Sequence, residues 1–333
     1  MSLATSYLGL ELKNPLIASA STLTGRLEDI RHLEDAGAAA IVLPSLFQEQ
    51  IEAEADARYS LVDAYAESSA EARSYFPVSI ANPYALRPDH YLDLVRRARE
   101  AVAVPIIASL NGSSRAGWID YARLIEEAGA AALELNMYHV PTDLFESGRD
   151  VEARYGEIVR EVCGSVTLPV AVKLTPYLSS FGNFATTIVE QGAGGLVLFS
   201  RLLEPDIDLS RMKLVDALAL SDPSEMRLPL LWIAILAGRT TASLAASGGV
   251  AQATDVVKYL LAGADVVMTT SALLRHDIEY MATLVGDLRK WMEVREIASL
   301  ASLRGMMSWR RGGDRDAYTR ANYLRILGQY TGS

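Results

Sequence analysis

Glu126-Glu127-Ala128-Gly129-Ala130-Ala131-Ala132-Leu133-Glu134-Leu135-Asn136 reads as the last turn of a helix, a glycine that ends it, and a short buried strand. Gly129 supplies the left-handed backbone that closes a helix at low steric cost, and the alanines around it let helix and sheet approach closely. The same junction recurs at Glu34-Asp35-Ala36-Gly37-Ala38 and at Leu261-Ala262-Gly263-Ala264-Asp265. Each precedes an apolar run of the kind that forms a strand buried on both faces of a parallel sheet. Eight such runs lie along the chain: Leu16–Ala20, Ala40–Ser45, Pro105–Leu110, Ala131–Asn136, Val170–Leu174, Gly195–Ser200, Ser243–Gly248 and Val266–Ser271. Eight is the number that closes a β/α barrel, so the expected architecture is α/β, a (β/α)8 TIM barrel. No linker rich in Pro, Gly or Ser interrupts it, and residues 1–333 are read as a single domain.

Two excursions break the rhythm, after the second and the sixth strand. Phe47 to Arg97 holds the acidic run 48–54 and a further apolar run, Pro77–Ala81; Arg201 to Thr241 holds the apolar run Leu228–Leu236. Both leave from a strand's C-terminal end, where barrel enzymes build their sites. They are candidate lids or substrate walls, with surface padding or oligomer contacts as the plain alternative.

Composition narrows the function. Half of the 333 residues are hydrophobic, enough for a large core, and the net charge of −10 leaves no basic footprint for nucleic acid and no attraction to an anionic membrane. One cysteine, Cys163, cannot form an internal disulfide, an iron–sulfur cluster or a thiolate zinc site. His32, His90 and His276 have no metal-ligand spacing, so no metal is expected. No Gly-x-Gly-x-x-Gly follows a strand, which argues against a nicotinamide domain. Redox chemistry would therefore need a bound organic cofactor. The start of the chain lacks a signal pattern and the longest apolar run, Leu228 to Gly238, is too short to span a bilayer, so the expectation is a soluble cytoplasmic protein. Trp309-Arg310-Arg311 and the arginines to Arg325 form a basic tail, read as a solvated or intersubunit face.

Strand alternation puts Glu134 and Asn136 on the face opposite Leu133 and Leu135, and puts Lys173 opposite Val172 and Leu174. Polar groups inside a barrel must meet a partner, either ligand or protein, and a Glu134–Lys173 pair is the structural alternative to a ligand site. At the ends of the last two strands, Gly248 and Gly249 offer backbone N–H groups without obstructing side chains, and Thr270 and Ser271 offer hydroxyls. The loops after strands seven and eight are the usual phosphate site of this fold.

Together, Asn14-Pro15-Leu16-Ile17-Ala18-Ser19-Ala20, Leu133-Glu134-Leu135-Asn136, Val172-Lys173-Leu174-Thr175-Pro176-Tyr177, Ser247-Gly248-Gly249-Val250 and Ser299-Leu300-Ala301-Ser302-Leu303-Arg304-Gly305 resemble the soluble, class 1 dihydroorotate dehydrogenases in order and spacing. The resemblance implies FMN as cofactor, with Ala18, Ser19, Ala20 and Ser45 along the ring, Asn111, Asn136 and Ser200 at its edges, and Lys173 at its pyrimidine side or ribityl chain. It implies Gly248, Gly249, Thr270 and Ser271 at the phosphate, a CH–CH oxidoreductase activity in pyrimidine biosynthesis, and a homodimer served by a separate electron acceptor.

Against that family's pattern, Met137-Tyr138-His139-Val140-Pro141 replaces the Ser-Cys-Pro-Asn loop. His139 falls where the proton-removing Cys stands in the family, and histidine, with an unperturbed pKa near 6.5, can exchange a proton at neutral pH. Tyr138 is the alternative proton donor. Pro44, Ala85, Val140-Pro141 and Phe199 stand where the family carries polar substrate contacts, so dihydroorotate is expected to be a poor substrate. Two other function classes fit the same residues: a non-catalytic FMN-binding subunit acting as an interaction platform, and a flavin-free barrel acting on a sugar phosphate.

Overall fold

The computed structural model describes residues 1–50, 87–111, 118–201, 205–215 and 219–329. Its strands are β1 (Thr5–Tyr7), β2 (Leu10–Leu12), β3 (Leu16–Ala18), β4 (Ala40–Phe47), β5 (Ile106–Asn111), β6 (Ala132–Asn136), β7 (Val170–Leu174), β8 (Gly195–Leu198), β9 (Asp206–Asp208), β10 (Lys213–Val215), β11 (Ser243–Ser247) and β12 (Val266–Thr269). The eight expected runs are the barrel strands, and they close in the order β11-β12-β3-β4-β5-β6-β7-β8 with every pair parallel. Helices lie between successive strands, as the α/β reading requires.

Alternation sorts each strand between two cores. Ile17, Val42, Ile107, Ala132, Ala171, Val197, Ala245 and Met268 pack inside the barrel against Tyr7, Leu8 and Leu12. The latter three come from the β1–β2 hairpin, which plugs the N-terminal end: the Leu8 amide donates to Ser243 Oγ at 3.1 Å and Thr5 Oγ1 donates to the Asp265 carbonyl at 2.9 Å. Leu16, Ile41, Leu133, Leu135, Val172, Leu196 and Val267 point the other way, into the larger cluster shared with the helices.

Helix boundaries follow local chemistry. Pro88–Ala101 begins with proline in its first turn and buries Tyr91, Leu92, Val95 and Ala98 at helical spacing. Gly148–Ser165 is capped by Ser147, whose side chain accepts the Asp150 amide. At the three recurring junctions Gly37, Gly129 and Gly263 have φ of +104°, +90° and +122°, the left-handed backbone expected of them.

The second excursion divides in two. The apolar run Leu228–Leu236 lies in helix Arg227–Leu236, whose Ile233 and Ala234 are buried against the barrel, so this part is a wall of the fold and no lid. Before it, β9 and β10 form an antiparallel hairpin with Ile207 and Leu214 exposed. The run Pro77–Ala81 and Ala85 lie outside the described residues.

Candidate active site at the barrel mouth

The C-terminal ends of β4 to β7 carry a ladder of polar side chains. Ser45 sits opposite Ser109 and Ser109 opposite Glu134, while Asn111 pairs in register with Asn136 and Asn136 with Lys173. Ser45 and Ser109 share a hydrogen bond of 2.8 Å between hydroxyls, and Ser200 Oγ donates to Asn136 Oδ1 at 3.0 Å. Asn111, at the end of β5, is buried. Glu134 is 1% exposed, and neither carboxylate oxygen has a hydrogen bond among the described residues. Lys173 Nζ stands 3.6 Å from Glu134 Oε1, close enough for charge attraction and too far for a normal hydrogen bond. The pair expected as a structural alternative is therefore formed, yet it leaves the carboxylate's lone pairs unsatisfied, a costly state inside a protein.

Two tyrosines underlie this carboxylate, and sequence reading missed both. Tyr91 is fully buried; its hydroxyl donates to the Ser109 carbonyl at 3.1 Å and accepts the Ser109 amide at 2.7 Å. Tyr7, from the plug, is equally buried, and its hydroxyl has no partner among the described residues. Burial, and after it the negative charge of Glu134, raises both phenol pKa values, although the hydrogen bond at Ser109 works against the rise for Tyr91.

Across the mouth, Ala18 is the last residue of β3 and is buried. The Ser19 amide donates to the Thr269 carbonyl at 3.1 Å, and the Ser19 carbonyl accepts Thr270 Oγ1 at 3.1 Å. Ser19 through Ala20 thus forms the rim segment beside the start of helix Ser271–His276. Gly248 has φ +99° and open space where a Cβ would stand, while its carbonyl accepts the Tyr259 hydroxyl at 2.8 Å.

Gly249 differs from its neighbour. With φ +73°, a Cβ there would lie 2.4 Å from Met226 Cγ and 2.8 Å from the Asp222 carbonyl oxygen. Its amide donates to Ser221 Oγ at 3.1 Å, and Ser271 Oγ is joined to Ser221 by bonds of 2.9 Å to the hydroxyl and 3.1 Å to the amide. Arg275 holds this segment down by donating to the carbonyls of Ser221 and Leu220. Gly249 is thus required for close packing against 222–226 and its amide is taken up by Ser221, whereas the Ser271 hydroxyl accepts twice from Ser221 and donates to no group among the described residues. The capping box of Asp222 and Glu225 was the visible signal for this segment.

The loop after β6 starts with the Met137 amide bound to the Lys173 carbonyl and the Tyr138 amide bound to the Asn136 carbonyl. His139 is half-buried, and its Nε2 is buried without a partner among the described residues. Burial lowers its pKa, the Arg154 cation adds to the lowering, and Glu146 opposes it. Arg154 and Glu146 pair with each other, on the helix and loop that follow β6. No hydrogen bond joins His139 to Lys173, Glu134 or Asn136 among the described residues. Pro44, which cannot donate to the ladder, sits at the register shift between Val42 and Ser45. Phe199 is buried edge-on against Phe181, with ring centroids 4.9 Å apart.

The fold is a closed parallel barrel of the TIM class, with amides, hydroxyls and a buried ion pair gathered at the C-terminal mouth, the end at which barrel enzymes build their sites. The chain belongs to the dihydroorotate dehydrogenase family, whose profile matches residues 2–292. It is 25% identical over 309 residues, 91% of this chain and 98% of the relative, to the dihydroorotate dehydrogenase B (NAD(+)) catalytic subunit of Thermoplasma acidophilum. The subunits of the same name from Halalkalibacterium halodurans and Listeria monocytogenes are 30% and 29% identical, over 63% and 62% of this chain and 70% and 69% of their own lengths. The family and these relatives support an oxidoreductase related to dihydroorotate dehydrogenase. No helix among the described residues is long and apolar enough to cross a membrane.

Proposed function

We propose that the barrel mouth holds FMN and that the protein is an FMN-dependent oxidoreductase acting on the CH–CH or C=C bond of a small cyclic or unsaturated substrate. The observation that carries this reading is the Lys173–Glu134 pair, a buried cation and an unsatisfied carboxylate at the centre of the polar ladder. When bound, FMN supplies the two-electron acceptor that such a reaction needs.

The residues present fit that group. Lys173 sets a positive charge where negative charge would build up in the ring, and Glu134 fixes the position of its ammonium. Asn111, Asn136, Ser45 and Ser200 offer amides and hydroxyls to ring edges, and the backbone of Ala18, Ser19 and Ala20 borders one face. Gly248, with open space where a Cβ would stand, and Ser271, whose hydroxyl proton is unused among the described residues, would face the phosphate, while Gly249 and Thr270 shape the same rim through Ser221 and Ser19.

His139 carries the proton transfer in this proposal. Its lowered pKa keeps the imidazole neutral and able to accept a proton at pH 7. Tyr138, one residue earlier, is the second candidate. Pro44 and Val140 stand where polar substrate contacts would be needed, so dihydroorotate is turned over poorly, and the physiological substrate has fewer groups to be read by hydrogen bonds.

Anaerobic mixing of the FMN-loaded protein with dihydroorotate tests the substrate assignment: slow or absent bleaching of the flavin is expected, and rapid bleaching at saturable rates overturns it. Once a substrate is in hand, His139→Gln should abolish the acidic limb of the pH–rate profile. If Tyr138→Phe abolishes it and His139→Gln does not, the proton role belongs to Tyr138.

A further inference from the structure

The barrel carries a cavity at the end opposite the mouth. It measures about 850 Å³ and is floored by Ser243 and Leu244 at the start of β11 and by Asp265 just before β12. One wall is the segment that carries Arg304, Arg310 and Arg311, all three of which line the space. The family profile ends at residue 292, so this wall lies beyond the matched residues.

The wall is fixed to the barrel. The Gly305 amide donates to the Leu260 carbonyl at 2.9 Å, Met307 to Leu261 at 2.8 Å and Trp309 to Ala234 at 2.9 Å, which ties the segment to the ends of two barrel helices. Gly305 and Gly263 approach closely, and at Gly263 a Cβ would lie 2.4 Å from that of Ala237.

The charges do not cancel. Arg304 pairs with Asp265, whose other oxygen accepts the Leu244 amide at 2.7 Å. Arg310 donates to the Gly238 carbonyl and Arg311 to the Arg304 carbonyl, so both guanidiniums bind main-chain oxygens and neither has a carboxylate partner among the described residues. A chain with net charge −10 thus concentrates an excess of two positive charges around one concave, hydroxyl-lined space. Guanidinium forks match phosphate geometry, and the volume falls within the range of roughly 300–1,000 Å³ typical of small-molecule sites.

We propose that this cavity is a binding site for a phosphate-bearing small molecule, gripped by Arg310 and Arg311 with Thr241 and Ser308 as hydroxyl partners. It is separate from the mouth, and it stands or falls independently of the FMN reading.

Isothermal titration of the full chain at constant ionic strength, with inorganic phosphate, pyrophosphate, adenosine monophosphate, adenosine and succinate as probes, tests it. Saturable one-to-one binding of at least one phosphate-bearing probe is expected, with none for adenosine. A preference for the nucleotide over pyrophosphate identifies a nucleotide source, and equal binding identifies the phosphate group alone. Arg310→Gln/Arg311→Gln should weaken binding at least tenfold. Thr241→Glu, an exposed position that leaves the arginine contacts in place, should do the same, and neither variant should alter flavin content. The proposal is overturned by the absence of saturable binding at millimolar probe, by succinate binding as well as the phosphates, or by affinity that survives in both variants.

Discussion

Replacing Lys173 with Met removes the cation that stands 3.6 Å from a carboxylate buried to 1% exposure. At an effective dielectric of about 20, unit charges 3.6 Å apart attract by about 4.6 kcal/mol. Breaking one side of a buried pair costs roughly 3–5 kcal/mol, because an uncompensated charge is left behind. Glu134→Gln is the milder change, since it leaves Lys173 near the mouth, where its long side chain can turn toward water. The double variant leaves no charge stranded and should regain most of what Lys173→Met loses. Urea unfolding without added flavin, followed by circular dichroism, measures the cycle. Melting gives a second scale: at ~2.1 cal/mol/K per residue the 333-residue chain loses about 1.4 °C per kcal/mol, so the Lys173→Met variant should melt roughly 4–7 °C lower. A loss below about 1 kcal/mol for Lys173→Met, or strictly additive effects in the double variant, would refute the reasoning, since contacting charges must couple.

Gly249→Ala should destabilise the rim and weaken flavin retention, because its Cβ would lie 2.4 Å from Met226 Cγ and 2.8 Å from the Asp222 carbonyl. Gly248→Ala meets open space and should cost only the backbone strain, on the order of 1–2 kcal/mol, as chemical denaturation would measure. The folded pKa of His139 is depressed below 6.5, so the unfolded chain binds more protons as pH falls. The contribution of His139 to stability is therefore complete above pH 6.5 and is lost as pH falls through the folded pKa, and His139→Gln should flatten the stability profile in that acidic window. Burial pushes the Cys163 thiol up to about 11, so alkylation by iodoacetamide should be slow at neutral pH and accelerate as pH approaches that value. Mass spectrometry reads this directly, because Cys163 is the chain's one cysteine.

The barrel was legible because its signals are local. Val170–Leu174 is a strand end to end, and Gly37, Gly129 and Gly263 announce their helix ends through neighbours in sequence. Glu134 and Lys173 were placed inside by alternation alone, which needs only the pleat. What escaped depends on contacts between distant segments. The plug strands β1 and β2 are only three residues each and carry no strong period. Tyr91 reaches Ser109 across 18 positions, and Ser221 reaches Gly249 and Ser271 across 28 and 50. No local pattern reveals that the Gly249 amide is met by a side chain from another βα unit. The basic tail was visible as charge, but its convergence on a cavity required the tail to fold back on helices Arg227–Leu236 and Ala253–Ala262. Phe199, which looked like a substitution at a substrate contact, is packed against Phe181, a relation fixed by the helix that follows β7.

The most direct test of the central claim is the flavin stoichiometry of the purified full chain, read by absorbance after loading with excess FMN and removal of the unbound fraction. One FMN per chain is expected, with retention sharply reduced in Lys173→Met. A folded protein that stays colourless, or one that retains flavin undiminished without Lys173, would contradict it.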